Sequence, residues 1–332
     1  MASNNEKTVL DIAVTALKDD GFPGPQSFIF LTRYAALKED YALLKLVGNT
    51  LETLDSMPAS AALAYAMGEY FQAAASVGDR GLSRDVSAES AAFCLPVADY
   101  VLNSCDLEDR MLAAAYAKCA RSFGREDYME RAAELLSDGE LAARNTAFSA
   151  LAYIELYRAT FNPLYLETAN AMADIIEKNF HSVFNSADVY DLEQPSVNSA
   201  IALMYDELAR FSTTPQQYEK RSAAAKKQNS FVRKLAERYP EGVTFGLCAL
   251  LAEEFEPKTV VCRFTGDELP RPFLTLLSFY SPVTELMAEP DVTAESDVNA
   301  EHSDDTAPAY TEAKSAKYFL LNKGILEHIK NL

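Results

Sequence analysis

The feature that most constrains this chain is a helical pattern that hardly breaks over its first 255 residues. Glycine is scarce, 12 in 332 residues, and runs that alternate apolar and polar positions as strands do are nearly absent. The clearest stretch is 163–180. Pro163 suits the first turn of a helix, where its missing N–H costs nothing. Tyr165, Ala169, Met172, Ile176 and Phe180 then follow at steps of 4, 3, 4 and 4, which puts them on one face. Asp174 and Lys178 stand off that stripe, as the solvated side of an amphipathic helix requires.

The pattern recurs. The segments 33–54, 116–136, 153–176 and 207–226 share one layout: a helix, a short polar break, a tyrosine, a second helix. The tyrosines are Tyr41, Tyr128, Tyr165 and Tyr218, and Tyr128 and Tyr165 lie 37 apart, one hairpin period. The spacing predicts stacked antiparallel helix pairs, each tyrosine at the seam where the next pair docks. Helix-sized segments fall near 6–19, 26–37, 41–55, 59–75, 86–104, 107–122, 126–136, 140–160, 163–180, 195–211, 215–237 and 243–254. Twelve helices make six hairpins, which can close into a ring with inner and outer layers or stay open as a solenoid.

The character changes after Glu256. Lys258–Phe264 is short and β-branched and reads as a strand; 269–281 reads as a helix. Eight acids and no Lys or Arg fall between residues 285 and 305, which predicts a solvated linker. The end returns to order, with a strand at 316–321 and a short helix carrying Ile325, Leu326 and Ile329. The expected divisions are therefore a helical-hairpin unit over 1–256, a strand-helix appendage over 257–284, an acidic linker over 285–308, and a C-terminal strand and helix over 309–332.

The net charge of −19 argues against nucleic acid and anionic membranes as partners. No uncharged stretch approaches the roughly 20 residues that span a bilayer, and no signal peptide is read at the start. Cys94, Cys105, Cys119, Cys248 and Cys262 are odd in number and widely spaced, so they read as small buried hydrophobes in a reducing cytoplasm. His181, His302 and His328 lie far from one another and from the cysteines, so no metal is expected. Phosphate-binding glycine loops and a nucleophile elbow are absent, so no cofactor is expected either. The basic run Lys220, Arg221, Lys226, Lys227, Arg233, Lys234 and Arg238 can hold an anion or simply form the wet face of a long helix.

The most informative string is DLEQPSVNS at 191–199. Ser196, Asn198 and Ser199 crowd a first helical turn, where unpaired N–H donors can hold a ligand carboxylate or hydroxyl. The plainer reading of the same residues is helix capping.

That string resembles the D-x-x-x-P-S-x-N-S segment of the thioredoxin-domain-containing family related to spermatogenesis-associated proteins. The stretch NTAFSALAYIELYRATFNPLYLETA at 145–169 is similar to that family's D-Y-A … L-Y-E-A-T-x-D-x-x-Y-L-x-x-A. GFPGPQSF at 21–28 followed by FLTRY at 30–34 resembles its G-F-G-G-A-P-K-F-P … F-L-L-R-Y, and 43–57 its next helix. TVVC at 259–262, YSP at 280–282 and SAKY at 315–318 are similar to its closing strands. The resemblance spans most of 20–325. It implies an all-α (α/α)6 toroid of six helical hairpins, six-hairpin glycosidase-like, with a small α/β C-terminal appendage. It also implies a sugar-related function at a central pocket.

The departures bear on activity. No counterpart of the family's thioredoxin-like domain is read, nor of its P-H-F-E-K-M-L-Y-D, D-K-x-L-T-x-W-N-G, R-Y-S-x-D and C-x-x-P segments. Ala, Leu and Met stand where acid–base groups are needed. Two expectations follow. One is a pocket that binds a sugar-like or other polar small molecule, with catalysis largely lost, lined by Arg144, Asn145, Asp191, Ser196, Asn198, Arg33 and Glu69. The other is a non-catalytic helical scaffold for a protein partner.

Overall fold

The computed structural model describes residues 7–54, 59–105, 110–137, 142–180, 188–265, 268–290, 316–323 and 325–329. The first twelve helices are α1 (Val9–Asp19), α2 (Pro25–Lys38), α3 (Tyr41–Glu52), α4 (Ala61–Asp79), α5 (Cys94–Ser104), α6 (Arg110–Phe123), α7 (Glu126–Ser137), α8 (Ala143–Thr160), α9 (Pro163–Asn179), α10 (Val197–Arg210), α11 (Pro215–Ala236) and α12 (Thr244–Glu254). After them come β1 (Lys258–Phe264), α13 (Arg271–Leu277), β2 (Thr284–Pro290), β3 (Ala316–Asn322) and β4 (Ile325–Ile329).

Local chemistry sets the helix starts. Thr8 and Asp11 form a reciprocal capping box on α1. Asp40, Ser60, Asn162, Ser196 and Thr214 each accept a first-turn N–H, and Pro25, Pro163 and Pro215 occupy first positions. The expected helix over 86–104 begins only at Cys94, because Ser87 and Ser90 bond each other's backbone and hold the preceding chain in turns.

Burial sorts the helices into two kinds. The even-numbered ones are buried almost all round: every residue of α10 is buried, as are eleven in a row at the start of α2 and ten in a row of α6. The odd-numbered ones bury one stripe; α7 buries only Tyr128 and Ala132. Alanines at 113–115 and 117 let neighbours of α6 approach closely. Gly48 of α3 likewise leaves room for the Tyr70 hydroxyl, which would overlap any β-carbon there. The packing order is α2 on α4, α4 on α6, α6 on α8, α8 on α10, α10 on α12, and α12 back on α2. Between them, α3, α5, α7, α9 and α11 each pack on the two even-numbered helices that flank them. Tyr41, Tyr128, Tyr165 and Tyr218 all stand in first turns of odd-numbered helices. Tyr128 packs edge-on against Tyr116, and Tyr165 stacks on Tyr153, 6.1 Å between ring centroids.

The four strands form one sheet in the order β2-β1-β3-β4. β1 and β2 are parallel, joined through α13, whose Phe273 packs with Cys262, Phe264 and Ala288. β3 is antiparallel to β1 and to β4.

Two expectations fail here. Residues 284–290 form a strand, where an acidic linker was expected from residue 285. Pairing with β1 satisfies their backbone, and Glu285 is buried among arginines rather than solvated. The rest of the expected linker lies outside the described residues. Ile325–Ile329 is a strand rather than a helix, because a turn at Lys323 (φ 49) folds it back on β3 with Leu321 opposite Leu326. Five residues carry too short a period to tell the two apart.

Candidate functional site

The seven candidate residues separate into two places, set by the direction of the even-numbered helices. Pro25, Ala61 and Thr244, each the first residue of its helix, share one cavity. Later residues of α2, α4, α6, α8 and α10 meet in one ionic cluster. The helices therefore run the same way, with first turns at one end.

At that end lies a cavity of about 670 Å³. Its walls come from the first turns of α2, α4 and α12, from Ser104 and Cys105, and from the segment between α9 and α10. Asp191, Leu192, Glu193, Gln194 and Glu241 line it. Asp191 is buried and its carboxylate is fully engaged. One oxygen accepts from the Ser196 N–H at 2.7 Å, the other from the Phe245 N–H at 2.7 Å, so one side chain caps both α10 and α12. Burial pushes its pKa up to about 6, with the Ser196, Ser199 and Phe245 donors pulling the other way. Ser196 caps α10 by accepting from the Ser199 N–H. Asn198 donates to the Asp188 carbonyl at 3.2 Å, and its buried Oδ1 has no hydrogen-bond partner among the described residues. Arg144 pairs with Asp188 at 3.1 Å and donates to Gln194 at 2.5 Å, fixing the cavity wall. Asn145 is half-buried one residue further along α8.

Arg33 and Glu69 sit elsewhere, in the cluster toward the far ends of the helices. Arg33 holds Glu69 with two bonds, 3.0 and 3.2 Å, and reaches Tyr65 and Glu207. Lys118 reaches Glu69 at 2.8 Å. Tyr65 donates to Glu155, which Arg158 also holds at 2.7 Å. Arg158 then grips Glu285 with two bonds, and Arg210 meets the same carboxylate at 2.8 Å. Tyr280 donates to Glu69 from the segment before β2. Burial opposes ionisation of Glu69, but Arg33 and Lys118 outweigh it and hold the carboxyl at about 2. Glu155 and Glu285 are likewise held below the usual carboxylate range against burial, Glu155 chiefly by Lys118 and Arg158, Glu285 by Arg158 and Arg210. Asp206 goes the other way: burial, against the pull of Arg210, lifts it to about 7. The free space inside the cluster is only about 20 Å³, so these groups fill the interior rather than line a chamber.

Sequence reasoning missed most of this cluster. A lone charge in a small-residue helix was the available signal: Lys118 within AAAYAKCA, Glu155 within LAYIELY. Glu285 had no such signal. In the basic run, Lys226, Lys227, Lys234 and Arg238 are exposed as a wet helix face requires, but Arg221 departs from that reading and is buried. Arg221 bonds Asn170 and Asp174, Lys220 meets Asp174 and Glu177, and Arg233 meets Glu253.

His181 and His302 lie outside the described residues, and His328 packs on Phe319. Among the described residues no group of His, Cys, Asp and Glu is arranged to hold a metal ion, and no helix is long and apolar enough to cross a membrane. No family model and no curated protein matches the sequence.

Proposed function

We propose that the chain is a toroid of six helical hairpins, (α/α)6 and six-hairpin glycosidase-like, whose open end binds a neutral, hydroxyl-rich small molecule such as a sugar without transforming it. The ring reading is supported by the packing order that returns from α12 to α2. The kinship with the thioredoxin-domain-containing family is part of the same proposal and rests on the DLEQPSVNS stretch, whose Asp191 to Gln194 form a cavity wall.

The observation that carries the binding reading is the 670 Å³ cavity itself, which falls in the usual range of small-molecule sites, about 300–1,000 Å³. Helix first turns offer N–H donors, and Glu193, Gln194 and Glu241 offer acceptors, so both partners of a sugar hydroxyl are at hand. The glutamates disfavour phosphate or carboxylate ligands. Catalysis by Asp191 is disfavoured because its carboxylate is buried and both oxygens are held by the backbone N–H groups that it caps.

The test is a thermal-shift and calorimetric panel of neutral mono- and disaccharides, amino sugars and sugar phosphates. Neutral sugars should raise the melting temperature and sugar phosphates should not. Glu241→Ala should weaken that binding while leaving the unliganded protein as stable as before, since Glu241 is exposed. The second reading, a scaffold for a protein partner, draws on the rim: Leu192 is 76% exposed beside the solvent-facing Tyr190 and Tyr239 rings. Silence across the whole panel would leave that reading in place of the first.

A further inference from the structure

At the opposite end from the mouth, the ends of α6 and α8 carry Arg121 and Arg158. Arg158 is nearly buried and fully answered by Glu155, Glu207 and Glu285. Arg121 is not. Its side chain is 28% exposed, its closest carboxylate is Glu155 at 3.6 Å, and among the described residues it donates no hydrogen bond. A guanidinium has five N–H donors in a planar fork suited to a carboxylate. The carbonyl ends of α6 and α8 supply partial negative charge here, but they do not give Arg121 the two-point partner its geometry fits.

Two cavities flank this group and share the wall Arg121, Arg158, Phe161 and Leu277. One, of about 420 Å³, opens beside Arg125 and Gly124. The other, of about 140 Å³, sets the apolar side chains Val260, Leu276, Phe279 and Leu286 on one side and Ser281, Thr284 and Glu285, the last neutralised by Arg158 and Arg210, on the other. That is close to the size that accepts one benzene ring in a protein interior. Phe161 reinforces the picture. It ends α8 in the left-handed region (φ 55), where α6 uses Gly124 (φ 65), and its ring packs on Tyr157 and Phe273. A bulky residue seldom adopts that conformation, and the strain is tolerated where the ring has a place to fill.

We infer that this cleft is a second binding site, for a small carboxylic acid with an apolar body: the carboxylate on Arg121, the alkyl or aryl part in the chamber between α13 and the sheet. No covalent step is involved. It is independent of the mouth, sharing no residue with it.

The test is calorimetric titration of the full chain with phenylacetate and, as the uncharged counterpart, 2-phenylethanol. Phenylacetate should bind saturably and the alcohol about tenfold more weakly or worse, the margin set by a charge-assisted pair. Arg121→Gln should lose the same factor for phenylacetate, and its unliganded melting curve serves as the folding control. Leu276→Glu, which places a repelling carboxylate in the chamber without touching Arg121, should abolish phenylacetate binding as well. Absence of saturable binding, equal affinity for the alcohol, or equal affinity in either variant would overturn the site.

Discussion

Asp191 was read from the sequence as either a ligand contact or a cap, and its two oxygens now identify it as a double cap. Removing it strands the N–H groups of Ser196 and Phe245 in a buried place. Asp191→Ala should therefore cost about 2–4 kcal/mol in urea denaturation, whereas Asn198→Ala, which breaks one bond to Asp188, should cost about 1. Arg33 and Glu69 call for a different experiment. Truncating either leaves a buried charge short of its main partner, although Lys118 still holds Glu69 and Glu207 still reaches Arg33, so Arg33→Met or Glu69→Met should destabilise by about 3 kcal/mol. The double variant should recover part of that loss, and a double-mutant cycle measures how much. The positions of Arg33 and Asp191 were legible as polar residues in helical context. Their separation into different places was not, because periodicity gives the face of a helix and not the depth along a bundle.

Among the elements, the helices were readable because each carries its own signal: a cap, a stripe and a break. α2 ends with Glu39, exposed and in the left-handed region at φ 54. Glu39→Gly should relieve that strain and stabilise by roughly 0.5–1 kcal/mol, seen as a raised melting temperature. The strands were less readable. β1 announces itself with KTVVCRF, but β2 is TELMAEP, an acidic segment that becomes a strand only because β1 supplies a pairing edge and Arg158 and Arg210 supply countercharge. β4 depends in the same way on β3. Local composition cannot report a partner that lies far off in the chain. Glu285→Gln should leave the helices intact by circular dichroism while speeding amide exchange in β1 and β2.

For the whole molecule, the ionic cluster and the buried aspartates set opposite pH limits. Asp206 and Asp191, raised to about 7 and about 6 from an ordinary 3.8, bind protons more tightly in the folded state. Their contribution is complete below about pH 4 and is lost as pH rises through 6 and 7. Glu69, lowered to about 2 from 4.5, contributes above its ordinary value and loses that contribution as pH falls toward 2. Stability should therefore peak in acidic solution, near about pH 4, and decline from there toward neutral pH. Asp206→Asn should flatten the decline toward neutral pH, and urea midpoints measured across that range test it. The seam between α12 and α2 joins segments more than 200 residues apart in the chain. A ribosome extruding this chain must deliver α12 before α2 can find its last neighbour, and must go on to Glu285 before Arg158 gains its closest carboxylate. Until then the nascent protein holds an open seam and an incompletely answered cation, a state that chaperones and proteases would meet first.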